Sequence, residues 1–257
     1  MSDLFHEAVP DEVIDRVFAV MALSPQHKFQ VLTKRAERMR DFLTRLHPTG
    51  RHTTVADDGA WFATPAAHIR AHSAMCEILP RAPGQALIAA AEWQDRHFPD
   101  GDGFMRRWPL SNVWLGVSAE DQRRADERVP HLLATPAVVR FVSAEPLLGP
   151  VGLTRWSGLE GDGDTMGFGL DWVIVGGESG PGARPMHPDW ARSLRDQCTA
   201  AGVPFFFKQW GAWAPDEIGP EDIRSVEFPP GHVEYLHVGK RAAGRKLDGR
   251  NWDEVPA

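Results

Sequence analysis

The apolar residues of this chain gather in short continuous runs: 29–32 (FQVL), 113–117 (VWLGV), 138–142 (VVRFV), 172–175 (WVIV) and 204–207 (PFFF). They are rich in β-branched and aromatic residues and do not alternate with polar ones, the pattern of strands buried on both faces of a parallel sheet. Helical spacing lies between several of them. Residues 10–23 place Ile14, Val17, Phe18 and Met21 on one stripe behind Pro10, which suits a first turn. Residues 120–133 turn Ala125, Val129, Leu132 and Leu133 inward, with Pro130 expected to bend or split the helix. Residues 188–201 align Ala191, Leu194, Cys198 and Ala201, and Gly202 is a natural stop. Alternation of strand and helix predicts an α/β fold with right-handed crossovers, specifically a partial parallel β/α (TIM-like) barrel with a helical insertion.

Two stretches interrupt the alternation. Residues 47–110 read as an insertion with helices expected near 64–79 and 85–96, and about 212–257 form a C-terminal extension of a single incomplete barrel domain covering 1–257. The glycine-rich run 160–169 (EGDGDTMGFG) precedes a strand rather than joining a strand to a helix, so it makes a poor phosphate cradle. It also lacks EF-hand spacing, because the twelfth position from Asp162 is Val173.

The chemistry is concentrated where each run ends. Thr33, Lys34 and Arg35 follow the first; Ser118 and Glu120 the second; Ser143 and Glu145 the third; Gly176, Gly177, Glu178 and Ser179 the fourth; Lys208, Gln209 and Trp210 the fifth. In a parallel barrel these ends share one face and converge on its mouth. Charges gathered there shift one another's pKa values, which serves acid–base chemistry or the capture of a charged ligand. The expected catalytic set is Lys34, Glu120, Glu145, Glu178 and Lys208. Ser143, Gly176, Gly177, Ser179 and Gln209 are expected to face a cofactor, and Arg35, Ser118 and Trp210 a substrate. The Gly176-Gly177 pair admits a ligand close to the backbone or makes a tight turn. Lys208, after three phenylalanines, is either a desolvated Schiff-base lysine or the ion-pair partner of a nearby glutamate.

Composition narrows these readings. The net charge is −7, which does not suit a general nucleic-acid coating protein. Locally, residues 239–250 hold Lys240, Arg241, Arg245, Lys246 and Arg250 against Asp248 alone, either a solvated tail or a local basic site. The two cysteines, Cys76 and Cys198, form no metal-binding spacing, so no cofactor is expected to be held by cysteines of this chain. No apolar run reaches the length of a membrane span and no secretion signal is evident, so a cytoplasmic protein without membrane partners is expected.

Seven strings occur in an order that resembles the phage gene-product 37/68 family, a family of unknown function also described as three-Cys-motif proteins. They are MSDLFHE (1–7), FQVLTKR (29–35), NVWLGVSAEDQ (112–122), RFVSAEPLLGPV (140–151), DWVIVGGESGPGARPM (171–186), PFFFKQWG (204–211) and GKRAAGRKLDGRNWDEVP (239–256). The resemblance implies a divergent relative of radical S-adenosylmethionine enzymes. Full-length members would carry an N-terminal cysteine cluster for a [4Fe–4S] centre and would use S-adenosylmethionine. On that reading the chain is N-terminally shortened and lacks its cluster chemistry, through a misplaced start codon, a degenerate gene product, a deliberate fragment, or a split gene whose cysteine part lies on a separate chain. A nucleic-acid or nucleotide substrate is the expected partner. The alternatives are a cluster-independent lyase using Lys208 with Glu145 or Glu178, and a non-catalytic module binding nucleic acid or a partner through the basic tail and tryptophan-rich surface. An incomplete barrel is also expected to expose a sheet edge.

Overall fold

The computed structural model describes residues 3–44, 53–55, 61–63, 109–156, 169–215, 225–228 and 233–257. The helices expected near 64–79 and 85–96, Cys76, and all of the glycine-rich run except Gly169 lie outside the described residues. Elements follow in the order α1 (Asp11–Ala22), β1 (Phe29–Thr33), α2 (Ala36–Thr44), β2 (Thr53–Val55), β3 (Trp61–Ala63), β4 (Val113–Ser118), α3 (Gln122–Leu133), β5 (Val139–Ala144), β6 (Trp172–Gly176), α4 (Pro188–Ala201), β7 (Phe205–Gln209), β8 (Trp213–Pro215), β9 (Ser225–Phe228), β10 (Val233–His237) and α5 (Lys240–Ala243). Five strands form one sheet in the order β1-β4-β5-β6-β7, so sheet order follows chain order. This is a mixed α/β protein built on a parallel sheet whose ends, β1 and β7, are not hydrogen-bonded to each other. Among the described residues no helix is long and apolar enough to cross a membrane.

The chain forms two compact units: Met1–Leu115 with Ala134–Val138, and Gly116–Leu133 with Val139–Ala257. In the first, α1 and α2 bury Ile14, Phe18, Met39, Phe42 and Leu43, and Phe42 meets the rings of Phe5 and Phe18 at 6.0 and 6.5 Å. The buried Asn112 amide donates to the carbonyls of Met21, Ser24 and His27 at 2.9–3.2 Å. It thereby ties together the turn that follows α1, adding a second bond to the Met21 and Ser24 carbonyls, which also accept the Ser24 and His27 N–H.

In the second unit every residue of β5 is buried, as expected of a strand covered on both sides. It pairs in parallel with β6, Phe141 opposite Trp172 through Ala144 opposite Val175, and β6 pairs in parallel with β7. The helix α4 begins where the His187 side chain accepts the Asp189 N–H at 3.2 Å. It ends at Gly202, whose φ of 67° is the left-handed geometry of a helix stop. The helix α3 is not split, because Pro130 stands near its end and removes one late helical bond. Residues of the expected extension form a separate antiparallel sheet, β8-β10-β9.

Candidate functional site

Parallel pairing of β5, β6 and β7 brings their C-terminal ends to one edge of the second unit. The last rung is irregular. Val175 pairs with Phe207 and Gly176 with Gln209, so Lys208 is the extra residue of a bulge. A bulge re-aims a side chain and ends regular pairing, and such features collect beside functional sites. Along β7 the pleat buries Phe205, Phe207 and Gln209 and leaves Lys208 exposed.

Glu145, the first residue after β5, is the hub. Lys208 Nζ donates to its Oε2 at 2.7 Å, and Gln209 Nε2 donates to its Oε1 at 3.2 Å. The same Gln209 amide reaches Ser179 Oγ at 3.1 Å and the Gly177 carbonyl at 3.5 Å. A side chain on Gly176 would sit 3.3 Å from the Glu145 carboxyl, so the glycine leaves room for it. Glu145 retains 19% side-chain exposure and Lys208 48%, which keeps the pair open to a ligand. A carboxylate fixed by two different donors, one of them charged, has a set orientation and a proton-accepting oxygen at an accessible rim. The Gly177 position serves the protein's own backbone. A Cβ there would lie 1.8 Å from the Trp210 carbonyl oxygen, so the chain can pass β7 this closely only at a glycine.

The structure thus joins Glu145, Gly176, Gly177, Ser179, Lys208 and Gln209, and it gives the other expected residues different work. Glu178 is clamped by Arg184, whose Nε and Nη2 lie 2.7 and 2.8 Å from its two oxygens. The Arg184 hydrogen bonds pull its carboxyl down to about 2. Glu120 is buried against Arg128 at 2.9 Å, and Arg128 also donates to the Ser118 carbonyl at 2.8 Å. Ser143 is buried, with its carbonyl accepting the Ala119 N–H. Trp210 is 2% exposed and packs on Phe207, donating its indole N–H to the Lys246 carbonyl, so it belongs to the core rather than to a substrate surface. Lys34 and Arg35 lie in the first unit, where Asp3 accepts the Lys34 backbone N–H, the Thr33 hydroxyl and an Arg35 N–H. Burial raises the Asp3 carboxyl, but these hydrogen bonds and Arg35 together hold it below its ordinary value.

A family model described as "Protein of unknown function (DUF5131)" matches residues 1–256. The chain belongs to the DUF5131 family. No curated protein and no solved structure matches it.

In this DUF5131 protein the basic run at 239–250 is folded against the end of β7. Trp210 N–H donates to the Gly244 carbonyl at 3.2 Å, and Gly239 N–H to the Ala212 carbonyl at 2.9 Å. An open pocket of about 350 Å³ results, lined by Lys208, Gln209, Lys240, Arg241, Gly244 and Arg245. Sequence reasoning found these cations but not their return to Lys208; the bracketing Gly239 and Gly244, both with positive φ, were the signal of a compact turn. The cysteine described by the structure does not fit an iron–sulfur ligand. Cys198 is buried in α4, and burial, helped by Glu254, pushes its thiol up to about 12, far from the thiolate such a cluster needs.

Proposed function

We propose that this DUF5131 chain is a β/α enzyme that performs acid–base chemistry on a nucleotide or nucleic acid, with Glu145 as the proton-transferring group. The observation that carries this reading is the convergence of three adjacent strand ends on one carboxylate, with Lys208 and Gln209 on separate oxygens. Lys208 steadies the ionised form of Glu145. A ligand group that draws Lys208 away exposes Oε2 for proton transfer. Gln209, tied to Ser179 and the Gly177 carbonyl, keeps the carboxyl oriented while that happens. Lys208 is read as a charge partner, since a Schiff-base lysine requires a desolvated amine and this one is about half exposed beside a carboxylate.

The relation to the phage gene-product 37/68 family and to radical S-adenosylmethionine enzymes is part of the same proposal. It is supported by the ordered string matches and by a parallel sheet whose strands follow chain order. No described cysteine fits the cluster, so no step is assigned to it or to S-adenosylmethionine.

The test is turnover. Purified chain is incubated with nucleoside di- and triphosphates and short oligonucleotides, and products are read by mass spectrometry. A mass change is expected with at least one of them, and Glu145→Gln should lower its rate about 100-fold, the scale of one general acid–base group. No product from any nucleotide, or an undiminished rate in Glu145→Gln, would overturn the reading.

A further inference from the structure

The basic pocket calls for a ligand of its own. Lys208, Lys240, Arg241 and Arg245 line it together with the Gln209 amide. Two of these cations are neutralised: Lys208 by Glu145 and Arg245 by Asp253. Lys240 and Arg241 are exposed and meet no acid among the described residues, so the pocket carries two positive charges in excess. The Arg245 guanidinium lies over the Phe206 ring at 5.2 Å, which holds it at the pocket wall. Two of the four cations are guanidiniums, which bind phosphate through paired N–H groups.

We infer that this pocket binds the phosphate chain of a small ligand, a nucleoside di- or triphosphate, and so places the rest of that ligand at Glu145. The inference rests on the strand-end reading above and names its substrate class. Its location follows from shared residues: Lys208 and Gln209 line the pocket and also hold the two Glu145 oxygens. A phosphate that engages Lys208 therefore competes with Glu145 for it. A small phosphate chain is favoured over a nucleic-acid backbone on two grounds. The cations surround an open concavity of about 350 Å³ instead of forming a track, and the chain as a whole carries a net charge of −7.

Inorganic pyrophosphate is the probe, titrated calorimetrically into the full chain. Saturable binding at one site is expected. The double variant Lys240→Ala/Arg241→Ala should weaken it about tenfold or more, and Lys240→Gln/Arg241→Gln, which preserves side-chain bulk, should do the same with an unchanged circular dichroism spectrum. Glu145→Gln should bind pyrophosphate several-fold more tightly, on the order of 3-fold, because it releases Lys208 and removes a negative neighbour. The inference is overturned by the absence of saturable pyrophosphate binding, by unchanged affinity in both double variants, or by a single-stranded oligonucleotide that displaces pyrophosphate with affinity growing with its length. The two readings fail separately. Pyrophosphate binding without Glu145-dependent turnover sinks the enzyme and spares the pocket. Glu145-dependent turnover without pyrophosphate binding sinks the pocket alone.

Discussion

Glu178 and Glu145 each follow a strand, yet their surroundings assign them different tasks. Both Glu178 oxygens are taken by one arginine, and the Arg184 backbone N–H adds a third bond at 2.9 Å. Such a carboxylate is a clip that closes the turn after β6. Its pH signature follows from its sign. The Arg184 hydrogen bonds lower the folded carboxyl from 4.5 to about 2, so its contribution is complete above about pH 4.5 and is lost as pH falls toward 2. Arg184 is 59% exposed, so the clip is worth no more than about 1 kcal/mol and weakens with salt. Urea midpoints at pH 5 and pH 2.5 should differ less in Glu178→Gln than in the parent chain; equal differences would remove the clip from the account. The distinction between the two glutamates was hidden in the sequence, where both are acids after an apolar run. It depends on Arg184 turning back across six residues, and on the bulge that makes Lys208 an extra residue on β7. Neither follows from periodicity, because a turn and a bulge are settled by pairing partners.

At the scale of elements, the apolar runs predicted the five strands of the sheet closely, but only the inner strands β4, β5 and nearly all of β6 are buried on both faces, while β1 and β7 at the two ends of the sheet order carry exposed residues. The third and fifth begin one residue later than their apolar runs suggest, at Val139 and Phe205, and Val138 is 46% exposed before β5. The helix ends were legible where a cap wrote them, as at Gly202. The short antiparallel sheet of β8, β9 and β10 was not anticipated, because strands of three to five residues carry too little pattern to distinguish from a polar extension. The α3 helix shows how a charge at a strand end can be structural. Glu120 and Arg128 are 10% and 15% exposed, and Arg128 bonds both the Glu120 carboxylate and the Ser118 carbonyl, fastening the helix to the strand that precedes it. Removing the arginine takes this contact from a nearly buried carboxylate and takes a charged donor from the Ser118 carbonyl. Arg128→Ala should therefore cost about 3 kcal/mol of unfolding free energy. Chemical denaturation measures this, and a loss under about 0.5 kcal/mol, the size of a surface substitution, would show that Glu120 is solvated after all.

For the molecule as a whole, nothing in the pattern of residues 252–254 foretold that they guard the sheet. An incomplete barrel was expected to expose an edge, and an edge strand presents unpaired N–H and C=O groups that recruit other chains. On the β7 side the C-terminal segment occupies those groups. Phe206 and Asp253 form an antiparallel bridge, Phe207 N–H donates to the Trp252 carbonyl at 3.0 Å, and Glu254 N–H donates to the Phe205 carbonyl at 3.3 Å. The Glu254 carboxylate accepts the Phe205 N–H at 3.0 Å, and its carbonyl accepts the Trp172 indole N–H at 2.8 Å. Trp252 packs edge-on against Phe205 with the Arg250 guanidinium 3.6 Å from its ring centroid. Ending the chain after Asn251 removes all of these at once and bares a strand containing three consecutive phenylalanines. The truncated protein should unfold at lower urea concentration and show light scattering that rises with protein concentration, while Trp252→Phe, which keeps the backbone pairing and an aromatic ring, should remain close to the parent in both. A truncated chain that stays monodisperse with its urea midpoint intact would show that β7 is held in place, and its edge protected, by something other than this terminal segment.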